Sequence, residues 1–203
     1  MIVWQRQDAA EAQRLTRVLE TNQRTTPELP AMQKLDSAAL AQSEPTLADR
    51  FAQGLYLPGE GQLDNRQLLA ALLTEMTRLG VNMHWNAPRA PEAFAPGTPG
   101  QPDWLLDCRG LGARQDWKAL RGVRGEVVRL HAPGVTLQRP TRLVHPRYPI
   151  YIAPQEDHVF VIGATEIESE DMSPASVRSA LELLSAAYSV HSGFAEARLL
   201  EVS

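Results

Sequence analysis

The sequence predicts an α+β protein, in which a mixed and largely antiparallel sheet carries helices. Two observations favour this class. Short apolar segments of strand length crowd the second half of the chain, and two of them flank the turn-like QEDH at 155–158, as in an antiparallel hairpin. Three longer segments place apolar residues at helical spacing, near residues 9–19, 65–79 and 174–188.

The first half of the chain alternates strands and helices. Ile2–Trp4 is a short apolar strand, and Asp8 with Glu11 has the pattern of a capping box. The helix that follows buries one face, formed by Ala12, Leu15, Val18 and Leu19. Asp36 or Ser37 caps a second, shorter helix, and a strand with a glycine turn follows at 55–64.

The strongest helix pattern starts near Asp64 or Asn65 and ends at Gly80, which suits a left-handed cap. Its apolar stripe consists of Leu68, Leu69, Leu72, Leu73, Met76 and Leu79. A strand is expected at 81–85. Residues 86–102 are rich in proline, alanine and glycine, which predicts an exposed loop without helix or strand.

The second half is dominated by strands and ends with a helix and a final strand. The strands are expected at Trp104–Cys108, Gly125–His131, Arg142–Val144, Ile150–Ala153 and Val159–Ala164. Ser173 is expected to cap the helix, with Pro174 at its first position. The predicted buried face is Val177, Ala180, Leu181, Leu184 and Tyr188. The apolar segment ARLLEVS then predicts a strand.

Length and composition indicate a globular chain with a small-molecule partner. The 203 residues are enough to bury a core without a disulfide or a metal. A formal charge of -4 argues against a nucleic-acid partner, and no segment has the length and apolarity of a membrane span. The single Cys108 suits a reducing compartment, so we expect a cytoplasmic protein. Whether it forms a homo-oligomer stays open.

The stretch DWLLDCRGLGAR at 103–114 has the form of a strand that enters a glycine turn. A dinucleotide-binding turn needs GxGxxG, because its backbone must approach the phosphates. Gly110 and Gly112 fit, but the third position is Gln115, and no acidic residue ends a second strand about twenty positions later. The spacing therefore favours a plain turn in which glycine supplies a positive φ.

Four blocks of the sequence resemble one family in their order along the chain. They are GQLDNRQLLAALLTEMTRLGV, DWLLDCRGLGAR, LRGVRGEVVRLH and HPRYPIYIAPQEDHVFVIGATEIESED. They are similar to the flavin-dependent amine oxidases of the D-amino acid oxidase superfamily, and most of all to the glycine oxidase branch linked to thiazole synthesis. YIAPQEDHVFVIGAT is the most specific part. The resemblance implies an FAD-dependent oxidative deamination of glycine or another small amino acid or amine, with peroxide as a product, in thiamine biosynthesis.

The resemblance also implies how the chain divides. Residues 1–102 resemble part of the substrate domain with a helical segment of the FAD domain and the proline-rich loop. Residues 103–124 resemble a strand and turn of the FAD domain, and 125–203 the sheet and helix of the substrate domain. The family's N-terminal GxGxxG and C-terminal GxRP segments are missing. We therefore expect an internal fragment that by itself binds no flavin and is inactive.

Three residues are candidates for substrate binding. In the family, a tyrosine at the position of Tyr151 points its hydroxyl at the substrate carboxylate; without the resemblance, the residue suits a core tyrosine. Arg147 lies in the rigid loop HPRYP and either holds a carboxylate or is a solvated charge. Glu166 follows GAT, where glycine oxidases often have an apolar residue at the ring. It either favours an amine or longer polar substrate or points into water.

The resemblance implies six FAD contacts: Cys108, Arg109, Gly110, Gly112, Gly125 and Glu126. The first four lie in the glycine turn, and the last two begin a strand beside the isoalloxazine. We assign no catalytic side chain, because FAD carries the electrons. The protein positions the substrate and the cofactor and excludes water from the site. We expect no metal, since the acidic run from Glu166 to Asp171 contains no histidine.

Two alternatives remain open from the sequence. The first is a dehydrogenase of the same superfamily that acts on D-amino acids or N-methyl amines and passes electrons to a carrier. The second is a non-catalytic domain that folds and binds no flavin.

Overall fold

The computed structural model describes all residues from 1 to 203. The chain forms two compact units, one made of Met1–Gln62 with Val123–Ser203 and the other of Leu63–Gly122. The flavin-domain and substrate-domain boundaries implied by the family resemblance stay a prediction.

The first unit is built on one eight-stranded sheet. Its strands are β1 (Ile2–Trp4), β2 (Gln33–Leu35), β3 (Gly54–Tyr56), β4 (Val127–His131), β5 (Thr141–Val144), β6 (Ile150–Pro154), β7 (Val159–Gly163) and β8 (Arg198–Val202). Their order across the sheet is β2-β3-β1-β5-β6-β7-β4-β8. Only β1 and β5 are parallel neighbours; the other pairs are antiparallel. The expected mixed, largely antiparallel sheet is confirmed, as is the hairpin of β6 and β7.

Four helices belong to this unit: α1 (Ala9–Thr25), α2 (Ser37–Ser43), α3 (Pro45–Ala48) and α5 (Val177–Val190). Asp36 caps α2, since its Oδ1 accepts a hydrogen bond of 2.8 Å from the backbone N–H of Ala39. The capping box expected at the start of α1 does not form. Asp8 is buried there and its side chain accepts no hydrogen bond from the helix amides.

The two faces of the sheet are covered differently. One face packs against α5, α2 and α3, and its buried side chains include Leu130, Phe160 and Ile162. The opposite face is covered at β1, β3 and β5, where Ile2 packs with residues of α1. Along β6, β7 and β4, the residues on this second face are half-buried or exposed, except Gly163, which is buried. We call this part, formed by Val127, Arg129, Tyr151, Ala153, Val161 and Gly163, the open face.

The start and the buried face predicted for α5 are wrong. The helix begins after Ser176, whose Oγ accepts a hydrogen bond of 3.1 Å from the N–H of Ser179. Val177 is 76% exposed, although it belonged to the predicted buried face. The buried residues are Ser179, Leu183, Ala186, Ala187 and Val190. Apolar side chains occur on both faces of this helix, and the face with small residues packs most closely on the sheet.

The second unit contains α4 (Asn65–Arg78). Its predicted cap is confirmed, because Asp64 accepts hydrogen bonds from the N–H groups of Arg66 and Gln67 at 2.9 and 3.1 Å. Gly80 follows with φ +73°, as the sequence predicts. The proline-rich loop forms no strand and only a short 3₁₀ turn at Pro91–Ala93.

Two strands predicted in this unit are wrong. Residues 81–85 and Trp104–Cys108 are irregular, and Trp104 is 82% exposed. A strand needs a neighbour that accepts and donates its backbone hydrogen bonds, and neither segment pairs with another. Apolar composition alone cannot supply that neighbour. No helix of the protein has both the length and the apolar character needed to cross a lipid bilayer.

Candidate functional site

The candidate site lies where three strands of the sheet begin or end. Tyr151, near the start of β6, is opposite Gly163 at the end of β7, and Gly163 is opposite Val127 at the start of β4. The loops 145–149, 164–167 and 123–126 therefore meet at the same end of the sheet. These loops carry Arg147, Glu166, Gly125 and Glu126, so the fold brings them to the end of the sheet that holds Tyr151.

Tyr151 lies on the open face and is 39% exposed. Its ring crosses the backbone of β7 at Gly163. A Cβ atom placed on Gly163 would lie 2.5 Å from Cζ and 2.9 Å from Cε1 of Tyr151, and closer still to the hydroxyl oxygen. Such distances are far inside van der Waals contact, so the observed ring position depends on the absence of a side chain at residue 163.

Arg142 is the other cross-strand neighbour of Tyr151, on β5. Its Nη2 lies 3.0 Å from Oε1 of Glu60. Sequence reasoning did not identify this pair, because Glu60 reaches the sheet from a distant loop. The ion pair places charge on one side of Tyr151, and the ring leans to the other side, over Gly163.

Glu126 faces the opposite side of the sheet, at the start of α5. It is 1% exposed, and its Oε1 accepts hydrogen bonds from Nε of Arg124 at 2.6 Å and from the N–H of Ser176 at 3.4 Å. Nη2 of Arg124 is also 2.6 Å from this oxygen. The hydroxyl of Ser179 and the guanidinium together hold the pKa of Glu126 below its ordinary value, against the opposing effect of burial.

The sequence contains a signal for the Arg124–Glu126 pair. Residues two apart on a strand point to the same face, so an arginine two positions before a glutamate indicates a same-face ion pair. The buried pair fastens the start of α5 to the sheet. FAD binding by Glu126 stays a prediction. The position of its side chain on the α5 side of the sheet, away from the open face, does not favour it.

A β-bulge shapes the segment that carries Glu166. Arg124 and Ile167 form a bridge, with backbone hydrogen bonds of 2.8 and 2.9 Å. Relative to the pairing of Val127 with Gly163, the segment 164–166 contains one extra residue. Thr165 compensates, since its Oγ1 accepts a hydrogen bond of 2.9 Å from the N–H of Glu126. Bulges redirect side chains at strand ends, and the side chain of Glu166 is exposed here.

The loop that carries Arg147 is ordered by His145. Its Nδ1 accepts hydrogen bonds from the N–H groups of Arg147 and Tyr148 at 3.1 and 3.0 Å. The rings of His145 and Tyr148 stack with their centroids 5.6 Å apart. The side chain of Arg147 is exposed and makes no ion pair, so its charge is available to an anion at this end of the sheet.

The other four predicted cofactor contacts lie in the second unit. Gly110 has φ +55° and opens the short 3₁₀ turn Gly110–Ala113, and Cys108 is exposed. Nη2 of Arg109 lies 2.7 Å from Asp107 and 2.5 Å from Asp116. The Asp107 and Asp116 carboxylates raise the pKa of Arg109.

The residues of the open face fit the isoalloxazine ring of FAD better than the residues of the glycine turn fit its pyrophosphate. The open face offers the half-buried side chain of Val127 and the exposed ring of Tyr151, which covers Gly163, and these groups suit contact with a planar ring. The glycine turn shows no cradle for a pyrophosphate, because a Cβ atom at Gly110 would meet nothing within 4 Å and Arg109 is already bound to two carboxylates.

The structure contains no group of three or more His, Cys, Asp or Glu side chains arranged to hold a metal ion. A cavity of about 300 Å³ lies between α1 and the strands β1 to β3. A second cavity, of about 510 Å³, lies beside α5 and β8. Neither is lined by Tyr151.

The pKa of Glu126 predicts part of the acid sensitivity of the fold. Because the folded chain binds this proton less tightly than the unfolded chain, ionised Glu126 stabilises the fold above its ordinary pKa of 4.5. That contribution is lost as the pH falls through the lower pKa of the folded state. We expect Glu126→Gln to flatten the fall in unfolding free energy between about pH 5 and 3. Urea unfolding at several pH values measures the slope, and an unchanged slope would contradict the assignment.

Comparison with known proteins places this geometry in a family. The model of a family described as FAD dependent oxidoreductase, DAO, matches residues 1–202. A Rhizobium etli protein named for a thiamine biosynthesis oxidoreductase, ThiO, is 42% identical over 173 residues, which cover 82% of this chain and 49% of that protein. The chain thus spans about half the length of the curated relative that it matches.

Solved structures share the fold at low sequence identity. Glycine oxidase from Geobacillus kaustophilus matches with a TM-score of 0.75 and 24% identity, over 99% of this chain and 56% of that one. Iminodiacetate oxidase from Chelativorans sp. BNC1 matches with a TM-score of 0.70 and 21% identity, over 99% and 57%. The resemblance inferred from the sequence blocks is confirmed, and the chain belongs to the DAO family of FAD dependent oxidoreductases.

Proposed function

We propose that the protein catalyses the FAD-dependent oxidative deamination of glycine or another small amino acid or amine. The family supports an FAD-dependent redox reaction. The relative named for thiamine biosynthesis supports a role in making a thiamine precursor. The observation that carries the substrate class is the phenol of Tyr151, half-exposed across Gly163 at the end of the sheet.

The cofactor supplies the redox chemistry. Bound FAD would supply the two-electron oxidation of the bond between the α-carbon and the amine of the substrate, with oxygen as the final electron acceptor and hydrogen peroxide as its product. The substrate becomes an imine, and water then hydrolyses it to the oxo acid and ammonia. The side chains of this chain therefore bind and orient the substrate, and no side chain needs to act as a nucleophile.

Tyr151 is assigned to the substrate carboxylate. Its hydroxyl is a donor, and a hydrogen bond to a charged acceptor contributes about 1.5 to 3 kcal/mol. The exposed guanidinium of Arg147 is assigned to the same negative charge, from the loop at this end of the sheet. Together they would fix the carboxylate and hold the α-carbon in one orientation.

Glu166 is assigned to the positively charged or polar part of the substrate. An exposed carboxylate after the bulge attracts an ammonium group or a polar extension of the substrate, where an apolar side chain would not. Val127, Ala153 and Val161 are half-buried apolar residues of the open face. Covered by the cofactor ring, they would keep water from the hydride path.

The cofactor contacts are assigned in two groups. Gly125 lies beside the end of the open face and suits the ring. Cys108, Arg109, Gly110 and Gly112 are proposed as secondary contacts, and Arg109 would have to give up one of its two carboxylate partners to meet a phosphate. We propose that Glu126 contacts FAD only through its backbone, because its carboxylate is paired with Arg124.

The function is tested with the protein expressed from its complete gene. Glycine, sarcosine and small D-amino acids are supplied under air. Peroxide and the released amine are measured, which is ammonia from glycine or a D-amino acid and methylamine from sarcosine. We expect both in equal amounts with at least one substrate. Turnover without peroxide, seen only with an artificial electron acceptor, would indicate the dehydrogenase instead. A colourless protein that stays colourless with added FAD, and turns over none of these substrates, would contradict the proposal.

A further inference from the structure

We infer that Gly163 is a positioning residue for Tyr151, which sets where the phenol hydroxyl stands above the open face. The consequence for catalysis rests on the function proposed above. The contact between Gly163 and Tyr151 does not rest on that function, because both residues belong to the sheet and the contact exists whatever the substrate is.

The case begins with the packing of the two residues. They are direct cross-strand partners, so their side chains occupy the same face of the sheet. The space that a Cβ atom would take on Gly163 is filled by the ring of Tyr151, with Cζ at 2.5 Å from that point. Any other residue at 163 would force the ring to move.

A positive φ does not explain why residue 163 is glycine. The glycines with positive φ are Gly80, Gly97, Gly100 and Gly110, and Gly163 is not among them. Glycine inside a strand weakens the sheet and commonly marks a close approach of another group. Here the approaching group is the phenol, so the ring of Tyr151 imposes a requirement for glycine at 163.

Gly125 provides the contrast within the same site. A Cβ atom on Gly125 would lie 3.4 Å from the carbonyl oxygen of Thr165, an ordinary contact. Alanine is therefore tolerated at 125 and displaces nothing. Only the glycine at 163 controls a side chain of the proposed substrate site.

A displaced ring must move to another of the three staggered χ1 wells of tyrosine. On the side of β6 away from β7 lies the neighbouring strand β5. That side is occupied by Arg142, which is paired with Glu60. The hydroxyl would leave its position beside Gly163 and could no longer meet a carboxylate held there.

The kinetic test is a double-mutant cycle in the protein expressed from its complete gene. Gly163→Ala is expected to raise KM for the amino acid about tenfold, the loss of one hydrogen bond to a charged group. In a Tyr151→Ala background, the same substitution is expected to change KM less than about twofold, because the ring is already gone. Equal effects of Gly163→Ala in both backgrounds, or no effect in either, would overturn the inference.

A spectroscopic test separates this inference from the proposed function. In the 203-residue chain, we expect nuclear Overhauser contacts between the ring protons of Tyr151 and the α-protons of Gly163. Gly163→Ala should shift the Tyr151 ring resonances, whereas Gly125→Ala should leave them in place. Absent contacts, or ring resonances unmoved by Gly163→Ala, would overturn the positioning role. If these signals behave as expected but no amino acid is oxidised, the proposed function is wrong and the positioning role of Gly163 still holds.

Discussion

Replacing Tyr151 with phenylalanine is expected to lower kcat/KM for the amino acid substrate about 10- to 100-fold. The substitution removes one hydroxyl and keeps the ring over Gly163, so the sheet and its packing are unchanged. The loss corresponds to a hydrogen bond to a charged carboxylate, about 1.5 to 3 kcal/mol. Steady-state peroxide formation by the protein expressed from its complete gene measures it.

Tyr148→Phe is the matched control for this prediction. Tyr148 lies in the neighbouring loop, is 41% exposed and stacks on His145 through its ring, which phenylalanine preserves. We expect its kcat/KM to stay within about twofold of the wild type. If Tyr151→Phe also stays within that range, the carboxylate contact assigned to Tyr151 is wrong.

Replacing Arg124 with alanine is expected to destabilise the chain by about 3 to 5 kcal/mol, because it leaves the buried carboxylate of Glu126 without its cation. The substitution also removes the hydrogen bond of 2.6 Å from Nη1 of Arg124 to the carbonyl oxygen of Asp171. Both contacts hold the segment before α5 against the sheet. Urea unfolding of the 203-residue chain at neutral pH measures the loss.

Two further variants show whether the loss comes from the ion pair. Arg178→Ala removes an exposed arginine from α5 and should change the unfolding free energy by less than about 0.5 kcal/mol. Replacing both partners, as Arg124→Met with Glu126→Leu, should restore most of the stability, because no buried charge remains. A loss in the double variant as large as in Arg124→Ala would show that the effect is not one of unpaired charge.

Most strands of the sheet could be predicted because their signals are local. β4, β5, β6 and β7 are short apolar runs bounded by turns, and each run pairs with a neighbour in the structure. The segment Trp104–Cys108 has the same composition and forms no strand. The difference is the presence of a partner strand, which no property of residues 104–108 can reveal.

The helices also have some features that depend on local sequence and others that depend on tertiary packing. The caps at Asp36 and Asp64 act on amides two or three residues away, so the sequence predicts them. The buried face of α5 depends on how closely the helix approaches the sheet. Leu181 and Leu183 are equally apolar, yet Leu181 is 60% exposed and Leu183 is buried, because the packing partner lies on one side only.

The candidate site was only partly visible in the sequence. A family resemblance points to Tyr151, Arg147 and Glu166, and the fold brings them to one end of the sheet. The role of Gly163 was missed, although a glycine inside a predicted strand is a signal for close approach. Arg142 and Glu60 lie far apart along the chain, so only the structure shows their pairing.

The amino-acid sequence is enough to predict the family, the α+β class, the strands bounded by local turns and the helix caps at Asp36 and Asp64. Each of these depends on residues close together in the chain or on motifs in a fixed order. The tertiary structure alone decided which face of α5 is buried, which apolar runs become strands, and where the phenol of Tyr151 stands. These depend on packing contacts whose energies exist only once the sheet has formed. Many of them join residues distant in sequence, such as Leu130 of β4 and Leu183 of α5, which share one core.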